Sequence, residues 1–217
     1  MKELIIALDN MTKVDALTLA GKLKDRVWGF KVNDLLLEHG VEIIHKLSEY
    51  GNVFADSKLH DTPNTVYNSV LRLASAGASI ITVHTSGGIE MLKYAVNASK
   101  SNEAKSTIAA VTTLTSLSNE SVREIYRGYP LQRFIETLKA AGINTVVCSG
   151  NESEIYRTLK FKTICPGFRP FGPIPFDDQK RHTNIIDADY LVVGRPVTAH
   201  EDPIEAVMKI KEKLKAY

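Results

Sequence analysis

The chain has 217 residues, of which 44 % are hydrophobic and 24 % charged, a balance that excludes a disordered or fibrous protein. A formal net charge of +2 excludes a broad electrostatic footprint for nucleic acid, though not a local anion pocket. Apolar runs such as Leu4–Leu8 fall far short of the roughly 20 residues that span a bilayer, so no membrane segment is expected.

The first strand is predicted at Glu3–Leu8. Thr12 is placed to cap a helix, with Asp15 three residues on and an apolar face of Val14, Ala16, Leu17, Ala20 and Leu23. A second strand is expected at Val27–Val32, then a helical stretch marked by Leu36, Ile43, Ile44 and Leu47, with Gly40 at a turn or cap. Strands follow at Asn52–Asp56 and Ser79–His84, the latter preceded by Gly77 and followed by a Ser86-Gly87-Gly88 turn into a helix with Met91 and Ala95. Thr107–Thr113 is the fifth strand, and Leu131, Ile135 and Leu138 mark the next helix, ending near Gly142. Asn144–Cys148 and Phe161–Cys165 are the sixth and seventh strands. From Pro166 to Ala188 the chain is rich in Pro, Gly and Asp, which predicts a long loop and a stunted helix. Tyr190–Gly194 is the eighth strand; Ile204, Val207, Ile210 and Leu214 mark the last helix, whose Lys211–Lys215 end is a solvated face.

These strands are continuous apolar runs rather than alternations, as in parallel strands covered on both faces. One strand, one helix and two connections take about 25 residues, so eight units nearly fill the chain. With no linker-like stretch, the expectation is one domain over residues 1–217: a closed (β/α)8 barrel in preference to an open doubly wound sheet. Because barrels place function at the C-terminal ends of their strands, the charges there are the first candidates. Asp9 ends strand one, Lys31 lies near the end of strand two, Asp56, Lys58 and Asp61 follow strand three, and Arg195 follows strand eight. Residues i and i+2 of a strand face the same side. Asp56 and Lys58 should therefore adjoin. Asp61, beyond the strand, can bend back or reach a neighbouring subunit, and Lys31 can insert between these carboxylates, each lysine held protonated by them. Arg169, Gln179, Gly194 and Arg195 gather on the loops after strands seven and eight, where barrels bind phosphate.

Asp56-Ser57-Lys58-Leu59-His60-Asp61-Thr62-Pro63-Asn64-Thr65 is similar to the signature of the orotidine 5′-phosphate decarboxylases. Ala7-Leu8-Asp9, Lys31, Val111-Thr112-Thr113-Leu114-Thr115-Ser116, Pro166-Gly167-Phe168-Arg169, Asp178-Gln179-Lys180-Arg181 and Val193-Gly194-Arg195-Pro196 resemble that family's other motifs, in order along nearly the whole chain. The resemblance implies a (β/α)8 homodimer with no metal and no organic cofactor, acting on orotidine 5′-monophosphate. It implies Asp9 and Lys31 on the ribose, Asp56 beside the substrate carboxylate, and Lys58 as proton donor to C6. Asp61 and Thr65 would reach the partner's active site, and Thr115 would contact the pyrimidine. Arg169, Gln179, Gly194 and Arg195 would hold the phosphate under the Pro166–Arg181 loop. Three features depart from the family pattern: Thr62 replaces an isoleucine, Asn33 replaces a glycine, and His182–Asp189 is short for a helix.

Two alternatives remain. Sister enzymes on the same barrel, 3-keto-gulonate 6-phosphate decarboxylase and hexulose-phosphate synthase, use magnesium and carry glutamate where this chain has Lys31. A non-catalytic nucleotide-binding regulator would be expected to lose members of the charged array. Other residues take plain readings: His84 as a hydrogen-bonded barrel residue, Trp28 as packing, and Cys148 and Cys165 as inert core thiols. Two cysteines make no disulfide framework, and the first apolar run ends at Asp9, too early for a secretory leader, so a cytoplasmic location is expected. The six histidines show no metal-ligand spacing.

Overall fold

The computed structural model describes residues 2–101, 105–172 and 187–215. Strands β1 (Glu3–Ala7), β2 (Gly29–Val32), β3 (Asn52–Leu59), β4 (Ala78–His84), β5 (Thr107–Val111), β6 (Thr145–Val147), β7 (Lys162–Pro166) and β8 (Tyr190–Val193) pair in parallel in chain order. β8 returns to β1 through Leu4↔Leu191 and Ile6↔Val193, closing the (β/α)8 barrel that the sequence predicts.

Alternation along each strand sorts side chains into two cores. Leu4 and Ile6 of β1, Phe30 and Val32 of β2, and Val53 and Ala55 of β3 face outward and are buried under the helices. Ile5, Ala7, Phe54, Ile80, Ala109, Ile164 and Val192 face inward and fill the barrel, with Trp28 and Tyr190 edge to face at 5.1 Å near its N-terminal end. Gly29 is required where β2 meets β3, because a Cβ there would lie 2.0 Å from the Asn52 carbonyl oxygen.

Helices α1 (Lys13–Leu23), α2 (Asp34–His39), α3 (Glu42–Ser48), α4 (Pro63–Ser75), α5 (Gly88–Ser101), α6 (Asn119–Tyr126), α7 (Leu131–Ala141), α8 (Gly150–Thr158), α9 (Arg195–Thr198) and α10 (Pro203–Lys215) connect the strands. Thr12 caps α1, its hydroxyl accepting the Asp15 N–H at 3.2 Å. The buried stripe of α1 is Ala16, Leu19, Ala20 and Leu23. Val14, assigned to that stripe from sequence, is 72 % exposed, since it sits about 200° around the helix from Ala16. The single helix expected around Leu36–Leu47 is two helices, broken where Gly40 takes φ +60° at the end of α2. The short helix α6 was not anticipated; Ser118 caps it by accepting the Ser121 N–H. The long loop and stunted helix expected over 166–188 lie mostly outside the described residues, as does most of His182–Asp189. Among the described residues no helix is long and apolar enough to cross a membrane.

Candidate active site

The inner stripe of each strand changes character toward its C-terminal end. In steps of two, β1 leads from Ile5 through Ala7 to Asp9, β2 from Gly29 through Lys31 to Asn33, β3 from Phe54 through Asp56 to Lys58, and β4 from Ile80 through Thr82 to His84. The registers Ala7↔Lys31 and Lys31↔Phe54 bring the first three series side by side. A cavity of ≈ 430 Å³ opens at this mouth, floored by Ala7, Phe54, Val111, Val147 and Val192 and walled by the polar residues above them.

Four charges form a continuous chain along one wall. The Lys31 ammonium donates to both Asp9 carboxylate oxygens at 2.8 Å and lies 3.5 Å from Asp56 Oδ2. Lys58 Nζ donates to the same Asp56 oxygen at 2.7 Å. Lys31 and Asp56 are both buried. Burial alone would lower the lysine's pKa, but Asp56 and Asp9 outweigh it and the net shift is upward. Burial alone would raise the Asp56 pKa, yet the Lys31 and Lys58 charges and the hydrogen bonds from Lys58 and Thr82 hold it below the ordinary carboxylate value. Both groups therefore stay ionised at neutral pH.

This pairing is reached through an irregular strand. Alternation alone predicts that Asp56 and Lys58 face one space, and they do. β3, however, slips against β4 between Ala55 and Leu59, and Lys58 takes φ +46°, a left-handed backbone that a non-glycine residue adopts only at a conformational cost. His60 and His84 stack at 5.6 Å beside this bulge, and His84 Nδ1 is 2.7 Å from Ser86 Oγ, in keeping with a hydrogen-bonded barrel histidine. Burial first, then His60 and Lys58, lower the pKa of His84. Ser86 and Gly87 lie in a single 3-10 turn, Thr85–Gly87, that leads directly into α5 at Gly88.

The rest of the wall carries Thr115, Ser116, Gly167, Arg169, Gly194 and Arg195. Arg169 is buried and donates to the Phe168 carbonyl at 3.2 Å; Arg195 opens α9 directly after Gly194. Cys148 and Cys165 are fully buried and do not line this cavity; their sulfurs lie 3.9 Å apart and are not joined in a disulfide.

Residues 2–210 match the model of the family described as "Orotidine 5'-phosphate decarboxylase / HUMPS family". The chain is 37 % identical to a protein of Nautilia profundicola named orotidine 5′-phosphate decarboxylase, over 98 % of this chain and 99 % of that one. It is 36 % identical to a protein of the same name from Paramagnetospirillum magneticum, over 96 % and 97 % of the two chains. The crystal structure of orotidine 5′-phosphate decarboxylase from Lactobacillus acidophilus superposes with a TM-score of 0.79 at 31 % identity, covering 98 % of this chain and 99 % of that one. The chain belongs to the orotidine 5′-phosphate decarboxylase / HUMPS family. It is an enzyme, of the carboxy-lyase type that its relatives' names denote.

Of the family-motif residues, Asp9, Lys31, Asp56, Lys58, Thr115, Arg169, Gly194 and Arg195 line the one cavity. Asp61 and Thr65 do not line it: both are exposed, Asp61 Oδ1 accepting the Thr62 N–H at 2.6 Å and the Thr65 and Thr62 hydroxyls lying 2.9 Å apart. Within one chain Lys31 therefore sits between Asp56 and Asp9, while Asp61 lies exposed beyond the end of β3. Gln179 lies outside the described residues. Two participants escaped the sequence reading. Asn33, noticed only as a departure from the family glycine, donates its side-chain amide to the Asp56 carbonyl at 2.6 Å. Thr82 donates to Asp56 Oδ1 at 3.1 Å; its signal was a hydroxyl within the apolar run Ile80-Ile81-Thr82-Val83, two residues from each inward neighbour.

Proposed function

We propose that this chain, as one domain over residues 1–217, converts orotidine 5′-monophosphate to UMP and CO2 with neither metal nor organic cofactor, the last step of de novo UMP synthesis. The observation that carries the proposal is the Asp9–Lys31–Asp56–Lys58 chain, whose Lys58 ammonium stands at the cavity with its carboxylate partner already in place.

The chemistry sets a hard requirement. When the C6–CO2 bond breaks, its electron pair stays on C6 in an sp2 orbital orthogonal to the ring π system, where the ring cannot absorb it. Preorganised positive charge beside C6 is then the main source of stabilisation. Lys58 supplies that charge and then transfers its proton to C6, so CO2 leaves and UMP forms; solvent reprotonates the amine. Asp56, kept ionised by its lysines, stands beside the substrate carboxylate. Asp9 and Lys31 bind ribose hydroxyls, and Thr115 meets the pyrimidine. Arg169, Arg195, Gly194 and Gln179 hold the phosphate, whose binding energy, remote from C6, assists the reaction as the Pro166–Arg181 loop folds over. Asp61 and Thr65, turned away from their own cavity, would complete the site of a second subunit in a homodimer. A cytoplasmic location accompanies this reading.

The sister activities of the family need a divalent cation among the carboxylates. Here the Lys31 ammonium already bridges Asp9 and Asp56, at 2.8 and 3.5 Å, and its charge would repel a metal. The test is to add orotidine 5′-monophosphate to protein treated with a chelator and follow UMP and CO2. Equimolar formation of both, undiminished by the chelator, is expected; loss of activity on chelation would favour a sister activity, and binding without turnover a regulator.

A further inference from the structure

We propose that Thr82 is a positioning residue for the decarboxylation, a single hydroxyl that sets both the Asp56 carboxylate and the Lys58 backbone. Thr82 is fully buried on the inward side of β4. Its Oγ1 donates to Asp56 Oδ1 at 3.1 Å and accepts the Lys58 N–H at 2.7 Å. A hydroxyl has one proton to give. Since the Lys58 N–H must donate, that proton points at the carboxylate, and the two bonds fix each other's direction.

The consequence for Asp56 is a division of labour between its oxygens. Oδ1 is taken by Thr82, which turns Oδ2 toward Lys58 at 2.7 Å and Lys31 at 3.5 Å. The consequence for Lys58 is local. Its N–H falls where β3 and β4 lose register, between Ala55 and Leu59, and the Thr82 hydroxyl serves there as the acceptor that a regular ladder would supply. Ser57 Oγ adds a bond to the Thr82 carbonyl at 3.3 Å, so the bulge is tied to β4 by side chains. The hydroxyl holds Lys58 in its left-handed conformation, which aims the ammonium back along the strand onto Asp56.

The inference rests on the function proposed above, and the experiment separates the two. The parent protein is first assayed with orotidine 5′-monophosphate; absence of turnover there counts against the function. Thr82→Val keeps the shape and removes both bonds. It is expected to lower kcat about 10- to 150-fold, the range for a lost hydrogen bond to a charged group, while UMP affinity stays within about threefold. Thr82→Ser restores the hydroxyl and should return most of kcat, and Thr82→Ala serves if the valine variant does not fold. Carbon-13 NMR of the Asp56 carboxyl gives a readout independent of turnover: its titration midpoint should rise in Thr82→Val and stay at the parent value in Thr82→Ser. A kcat within twofold of parent in the valine variant, equal impairment of valine and serine variants, UMP affinity falling in step with kcat, or an unmoved Asp56 midpoint would each overturn the assignment.

Discussion

The interior of the barrel has two halves built on the same strands and governed by different forces. Below, Ile5, Phe54, Ile80, Ile164 and Val192 pack as an apolar plug, with Trp28 and Tyr190 at its base. One pleat above, Lys31, Asp56 and Thr82 take the same inward positions and are buried as well, yet every one of them is hydrogen-bonded or ion-paired. Apolar side chains tolerate many partners of suitable volume, whereas buried charges tolerate only a matched set. The lower half therefore stabilises the barrel, and the upper half fixes a charge pattern before any ligand arrives.

This contrast can be broken from either side. The largest effect is expected from Lys58→Ala, which removes the proton donor and should lower kcat by about 10²- to 10⁴-fold, while calorimetry still registers UMP binding; near-parent turnover would exclude the role. Phe54→Ala, one pleat below Asp56, should act on stability instead, lowering the unfolding free energy by about 3–5 kcal/mol in a urea titration. A smaller change would mean that the plug repacks around the loss. Arg195→Ala should weaken UMP binding roughly 10- to 150-fold and leave uridine binding close to parent. Equal effects on nucleotide and nucleoside would remove Arg195 from the phosphate end.

The smallest effect is a pH dependence. Asp56 has a folded pKa below its unfolded value of 3.8, so it binds fewer protons folded than unfolded. Its stabilisation is present above that unfolded value and is lost as pH falls through the lower, folded one. Parent stability should thus decline in acid more steeply than that of Asp56→Asn, as followed by thermal unfolding between about pH 5 and about pH 2; parallel declines would show that other carboxylates dominate.

Much of this was legible in the residues. The eight apolar runs became eight strands because burial on both faces leaves little room for polar side chains. Asp9, Lys31, Asp56 and Lys58 were visible as charges at strand ends, where solvation by a helix surface is not available. Val14 misled because an apolar residue is often exposed without consequence. Asp61 was legible only as a choice: lying beyond the strand, it could bend back or reach a neighbouring subunit, and within one chain it is exposed and outside the cavity.

The sequence by itself determined the alternation of strands and helices, the charges at the barrel mouth and the family motif, since these follow from period, composition and local spacing. Only the tertiary structure decided that Lys31 bridges Asp9 and Asp56, that Asn33 grips the Asp56 carbonyl, and that Thr82 serves Asp56 and Lys58 together. Those contacts join residues more than 20 positions apart, across strand registers and a bulge that arise when the sheet closes on itself. No local pattern encodes them.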